Sequence, residues 1–267
     1  MLTTLVAVIL GLVQGLTEFL PVSSSGHLVL VQRLFGIQQE ALLFDVILHL
    51  ATLGAVLAAF YRDFLDILKQ PFSRLTWLLV AGTIPTGLLG IAFQEPIGRL
   101  FASGQTLGAE FILTGFILWT AERIPPRSSP KGLAEITTLD AAFIGTMQGI
   151  ALLPAISRSG LTISGALLRG LERQTAARFS FLLSAPAILG AALVELKDLP
   201  AAAGTTLPPG PVLVGTVAAA ISGYLAIRFM LHVLTSSNMR LFSLYVWLLG
   251  AAILTDQLIT HRFFPPL

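Results

Sequence analysis

Cysteine is absent from the chain, so no disulfide, thiol nucleophile or cysteine metal site is open to it. Charge is nearly as scarce. Asp, Glu, Lys and Arg make up 11% of the 267 residues, against about 25% in soluble domains. No Pro- or Ser-rich linker divides the chain into soluble modules. Met1–Val13 has neither the basic n-region nor the small-residue cleavage site of a secretory signal. What fills the sequence is apolar: 55% of the residues are hydrophobic and the mean hydropathy is +0.84. One integral membrane domain over residues 1–267 follows. The net charge of +2 gives no argument for nucleic acid, because the basic residues sit in loops between apolar runs.

A hydrocarbon core of about 30 Å needs about 20 residues of helix. The stretches that meet this are Ala41–Phe60, Leu75–Gln94, Leu107–Ala121, Ala177–Leu196, Pro211–Met230 and Leu241–Thr255. They fall three to each half, about 1–133 and 134–267, and match in order. Gly82-Thr83 corresponds to Gly215-Thr216 in the second spans, and Gly115 to Gly250 in the third.

Two phrases repeat at an offset of 134 residues. Gln14-Gly15 through Pro21-Val22-Ser23-Ser24-Ser25-Gly26-His27 aligns with Gln148-Gly149 through Pro154-Ala155-Ile156-Ser157-Arg158-Ser159-Gly160. Neither fits a clean span, since each breaks at a proline and a serine run. Irregular backbone at membrane depth is tolerated only where protein or a watery cavity surrounds it. Both phrases therefore read as re-entrant helix–loop–helix hairpins. The alternative is a first true span over Leu2–Leu20.

With three spans per half, one side of the membrane collects Arg62, Lys69, Arg74, Arg123, Arg127, Lys131, Arg169, Arg173, Arg178, Arg228 and Arg240. The other collects Arg33, Arg99, Lys197 and Arg262. This positive-inside bias puts both termini outside. An odd number of spans per half inverts the second repeat, so the hairpins enter from opposite faces and their tips meet near the midplane.

The polar residues of these phrases carry the chemistry. Gln14 and Glu18 share a helix face. A carboxylate at membrane depth costs about 2.5–3.5 kcal/mol and points to function; the plain alternative is a glutamate reaching the interface. Ser23, Ser24 and Ser25 open a short helix over about Gly26–Leu34. They read either as N-caps or as ligands beside a phosphate-attracting helix N-terminus. His27 follows as a general acid or base. Arg158 matches phosphate with its planar fork, the alternative being a structural pair with Glu18. Ser157, Ser159 and Thr162 flank it as donors or caps. A cation, a base and a hydroxyl together suit phosphoester or pyrophosphate hydrolysis. Asp45 and His49 form a further i,i+4 pair, read as cavity lining or as an interhelical hydrogen bond. Glu110, Glu122 and Glu195 lie near span ends and read as interfacial.

At Gln14–His27 and Pro154–Thr162 the sequence resembles the bacterial undecaprenyl-diphosphate phosphatase family, the group linked to bacitracin resistance. That family's motifs have Gly-x-Thr-Glu-Phe-x-Pro-Val-Ser-Ser-x-Gly-His and Pro-Gly-x-Ser-Arg-Ser-Gly-x-Thr. Gln14 stands where many members have Glu, and Ala155 replaces the usual Gly. The resemblance implies an inner-membrane enzyme that removes phosphate from a C55 polyprenyl diphosphate on the outer, periplasmic face, recycling the lipid carrier for peptidoglycan. It implies a divalent cation, magnesium or calcium, at Glu18, with Gln14 a weaker second ligand than the usual Glu, and family members can be homodimers. Glu18, Ser24, His27 and Arg158 become the catalytic set, and Ser23, Ser25, Ser157, Ser159 and Thr162 the phosphate-binding residues. The rival expectation is a polyprenyl-lipid transporter or flippase, since inverted repeats with broken helices also mark transporters.

Overall fold

A computed structural model describes residues 2–37, 41–125, 128–198, 207–236 and 239–266. Arg127, counted among the loop charges, lies outside them. Among the described residues the architecture is all-helical, with one isolated bridge between Lys131 and Leu171. The first polar phrase joins α1 (Thr4–Phe19) to α2 (Ser24–Leu34). The second joins α8 (Thr138–Ile150) to α9 (Arg158–Leu168). Between the hairpins run α3 (Ala41–Ala59), α4 (Tyr61–Lys69), α5 (Arg74–Ala92), α6 (Gln94–Ser103) and α7 (Leu107–Ala121). After them come α10 (Arg173–Asp198), α11 (Pro209–Ser236) and α12 (Arg240–Thr255).

Every stretch expected to span the bilayer is a helix. Arg74–Ala92, Arg173–Leu196, Pro209–Leu234 and Arg240–Thr260 are each long and apolar enough to cross a membrane alone. The other two belong to bent pairs: α4 turns 81° from α3, and α6 meets α7 at 109°. The short helices α4 and α6 were not expected from hydropathy. Each is amphipathic and has no buried residue, as an element lying along an interface would be. The molecule is a multi-pass membrane protein.

Each polar-tipped helix starts with a cap and buries one stripe. The Thr3 hydroxyl accepts from Val6 N, and Thr137 and Asp140 form a reciprocal capping box. On α1 the buried face is Val6, Ala7, Leu10, Gly11, Gln14, Gly15, Glu18 and Phe19. On α8 it is Asp140, Ala141, Ile144, Gly145, Gln148 and Gly149, the same positions 134 residues later. These stripes do not pack on each other. The α1 stripe lies on α11 and the α8 stripe on α5, while α7 packs on α12. A Cβ at Gly11 would overlap the carbonyl of Gly215, and one at Gly145 would overlap that of Gly82. Glycine is required at both crossings because helix association within a bilayer depends on close backbone approach. Beneath the tips, Phe19 meets Phe181 edge to face at 5.6 Å, in a core that includes Leu118, Ile163 and Phe179.

Candidate active site

Pro21 ends α1, leaving Leu20 extended. Ser23 then takes φ +68°, a left-handed conformation strained for serine. Its side chain does two things there: Oγ accepts from Gly26 N, capping α2, and donates to Pro154 O at 2.9 Å. Ser25 Oγ donates to the same carbonyl at 2.9 Å. From the other tip, Ser159 Oγ donates to Leu20 O at 3.0 Å. The two hairpin tips are thus hydrogen-bonded directly to one another.

Within this junction Glu18 is buried and fully engaged. Its Oε1 accepts from Arg158 Nη2. Its Oε2 accepts from Ser24 Oγ and, at 2.9 Å, from Gln14 Nε2. Arg158 Nη1 is buried without a hydrogen-bond partner, so one arm of the guanidinium is uncommitted. A cavity of ≈ 30 Å³ lies between the tips, lined by Thr17, Glu18, Ser23, Ser24, Ser25, Ala151, Ile156, Ser157 and Arg158. That is room enough for water. The paired Glu18 and Arg158 both line this space. Helices α2 and α9 both begin at this cavity, with their positive ends toward it.

Not every expected residue faces the cavity. His27 lies beside it: Nδ1 is 2.6 Å from Ser23 O and Nε2 is 2.7 Å from Tyr245 Oη. Thr162 Oγ1 turns to Arg158 O and to Ser180 on α10. Ser159 is spent on the tip-to-tip contact. Ser157 caps α9 by accepting from Gly160 N. In the expected i,i+4 pair, His49 Nδ1 lies 2.8 Å from the Asp45 backbone carbonyl, and Nε2 stands 3.9 Å from Glu18 Oε2. Both Asp45 oxygens accept from Gln32 Nε2, tying α2 to α3.

Glu110 corrects the interfacial expectation. It is buried, and Oε2 accepts from Ala155 N at 2.6 Å. One turn on, Thr114 Oγ1 donates to Ala155 O and accepts from Ser157 N. Together they hold the second loop in place. Their i,i+4 spacing in an apolar span was the available signal. Glu122 also looks inward, binding Arg173 and Met239 N. Tyr245 carried no sequence signal at all.

The donor set for a divalent ion is small. Among the described residues no three His, Asp or Glu cluster as ligands. One carboxylate, Glu18, stands beside the Gln14 amide, whose Oε1 is buried without a partner. These are the two oxygen donors that could take magnesium or calcium together with substrate phosphate and water, once Glu18 is released from Arg158.

Fold and site together define a polytopic membrane protein with a carboxylate, a hydroxyl and a guanidinium gathered between two broken helices. The chain belongs to the family described as bacitracin resistance protein BacA, which matches residues 7–252. It is similar to an undecaprenyl-diphosphatase of Carboxydothermus hydrogenoformans, 56% identical over 255 residues, covering 94% of this chain and 96% of the relative. An undecaprenyl-diphosphatase of Halothermothrix orenii is 45% identical over 249 residues, covering 92% and 95%. Undecaprenyl-diphosphatase 4 of Bacillus thuringiensis subsp. konkukian is 44% identical over 251 residues, covering 94% and 96%.

Proposed function

We propose that the protein is a membrane phosphatase that hydrolyses undecaprenyl diphosphate to undecaprenyl phosphate and inorganic phosphate. This recycles the lipid carrier for cell-wall synthesis and confers bacitracin resistance. The observation that carries the catalytic assignment is the convergence of Glu18, Ser24 and Arg158 on one buried cavity.

In the proposed reaction Arg158 leaves Glu18 and holds the diphosphate with both arms of its fork. The N-termini of α2 and α9, with Ser157, add donors around the anion, while Ser23 and Ser25 stay on Pro154 as tip contacts. Ser24 Oγ attacks the terminal phosphorus, and its proton passes to Glu18 Oε2, to which it already donates. The bond from phosphorus to the bridging oxygen breaks, and Glu18 returns the proton to the departing lipid phosphate. A water then attacks the phosphoserine. Glu18 takes a proton from that water and Ser24 Oγ is reprotonated, releasing inorganic phosphate. Glu18 and Gln14 Oε1 would hold the divalent ion, which when bound offsets the charge of the diphosphate. His27 acts on the Ser23 turn, since both of its ring nitrogens are occupied. Ser159 and Thr162 serve as tip and helix contacts.

We further propose that the two halves are inverted repeats, with both termini and the opening of the site on the periplasmic side. The distribution of basic residues supports this, as does the exchange of partners, α1 with α11 and α8 with α5. The same exchange favours lipid flipping as a second reading, because inverted repeats with broken helices suit alternating access. Phosphate release from polyprenyl diphosphate by purified wild-type, Glu18→Ala and Arg158→Ala protein in detergent is the test. Both variants should lose at least about 100-fold in turnover. Equal release by all three would leave the transport reading.

A further inference from the structure

Tyr245 lies far from the motifs in sequence, on α12. Its hydroxyl is 2.7 Å from His27 Nε2, and its ring lies nearly parallel to the imidazole, with centroids 5.6 Å apart and 14° between the planes. Phe111 closes the imidazole from the side at 5.4 Å and 88°. The other nitrogen, Nδ1, is 2.6 Å from the carbonyl of Ser23. A carbonyl oxygen only accepts, so Nδ1 carries the hydrogen. In the neutral ring Nε2 is then a lone-pair site, and the tyrosine hydroxyl is the donor that satisfies it.

The tautomer matters because of what it holds. Ser23 sits at φ +68°, a conformation that persists only where surrounding contacts over-determine it. Its carbonyl is fixed by His27, its hydroxyl by Pro154. Ser24 follows directly and donates to Glu18. If the imidazole hydrogen moved to Nε2, a bare Nδ1 would face the Ser23 carbonyl, lone pair against lone pair, and the turn would lose one of its restraints.

We propose that Tyr245 is a positioning residue for the phosphatase reaction: its hydroxyl fixes His27 as the Nδ1–H tautomer, and His27 in turn holds the Ser23 turn that presents Ser24 to Glu18. This rests on the reading that Ser24 and Glu18 carry the reaction. Tyr245 acts through His27 and needs no contact with the phosphate.

The test combines kinetics with a direct readout of the ring. In detergent, Tyr245→Phe keeps the ring and loses only the hydroxyl; kcat should fall about tenfold with KM within about twofold. Spectra of 15N-histidine-labelled protein, with His27 assigned by its loss in His27→Asn, should show Nδ1 protonated and Nε2 bare in the wild type. A tautomer mixture should follow in Tyr245→Phe. The amide of His27→Asn reaches the Nδ1 position without needing Tyr245, so adding Tyr245→Phe to that variant should change kcat less than about twofold. An Nε2–H ring in the wild type overturns the proposal without any variant. So does unchanged kcat in Tyr245→Phe, a loss confined to KM, or equal losses in both backgrounds. Ser24→Ala is assayed alongside. If it turns over like wild type, the reading of the site falls and takes this one with it. If it is inactive while Tyr245→Phe is normal, only the positioning role is lost.

Discussion

Glu18 and Arg158 are 140 residues apart in the chain and joined by an ion pair at the meeting point of two helix breaks. Their side chains are 5% and 16% exposed, so each is the other's principal compensation for leaving water. Removing one partner of a buried pair costs about 3–5 kcal/mol, because the remaining charge is left unpaired. Arg158→Ala and Glu18→Ala should therefore each lower the unfolding temperature in detergent, and the double variant should be more stable than either single one. Arg158→Lys keeps the charge but not the fork. It should stay folded and lose at least about 100-fold in kcat. Near-wild-type kinetics for Arg158→Lys would remove the bidentate role.

The crossing of α1 and α11 should be intolerant of even one methyl group. Gly11→Ala places a Cβ against the Gly215 carbonyl, an overpacking cost of about 1–3 kcal/mol. Gly87→Ala on α5 is the control, since a Cβ there meets nothing within 4 Å and alanine favours helix over glycine. Thermal unfolding should separate the two variants, with Gly11→Ala lower than wild type and Gly87→Ala equal or higher.

Asp140, at the start of α8 and outside the spans, gives the fold an acid limit. Burial pushes its carboxyl up. Hydrogen bonds from Lys131 Nζ at 2.7 Å, Thr137 N at 3.0 Å and Arg169 Nε at 2.6 Å outweigh this and hold it well below the ordinary 3.8. A carboxyl lowered on folding stabilises fully above its unfolded value, and the contribution drains away as pH falls through the folded one. Asp140→Asn should lose about 1.5–3 kcal/mol at pH 7. Its deficit against wild type should shrink once the pH drops below 3.8. A deficit independent of pH would show that the carboxylate charge is not what matters.

At Ser23 the backbone and side chain can be separated. Glycine accepts φ +68° without strain and costs a cap position only a few tenths of a kcal/mol, whereas alanine loses the cap and keeps the strain. Ser23→Ala should be less stable than Ser23→Gly by about 1 kcal/mol. Both lose the bond to Pro154, so both should lower turnover. Chemical denaturation and phosphate release read the two effects apart.

Hydropathy located the four helices long enough to cross a membrane alone and the apolar parts of both bent pairs, because a lipid-facing helix must be apolar along its whole length. The period of the buried stripe was legible too, since Gln14-Gly15 and Gln148-Gly149 mark the same face. The bends into α4 and α6 were hidden: nine or ten residues of mixed charge resemble loops when scanned for spans. In the site, Glu18, Ser24 and Arg158 stood out because such groups are costly inside an apolar run. Glu110, Tyr245 and the approach of His49 to Glu18 depend on which helices become neighbours. No single segment records that. Glu110 in particular resembled an interfacial residue until Ala155 was found opposite it.

Pro154 contributes an acceptor and, being proline, no N–H. Its carbonyl takes hydrogens from two serine hydroxyls, Ser23 and Ser25, and a carbonyl oxygen has two lone pairs to give. The next carbonyl along the chain, Ala155 O, is already taken by Thr114 Oγ1. The junction therefore works like a keyed plug. Donors on one tip fill the acceptor on the other, and the neighbouring position on the chain offers no equivalent socket. This fixes the register in which one tip meets the other.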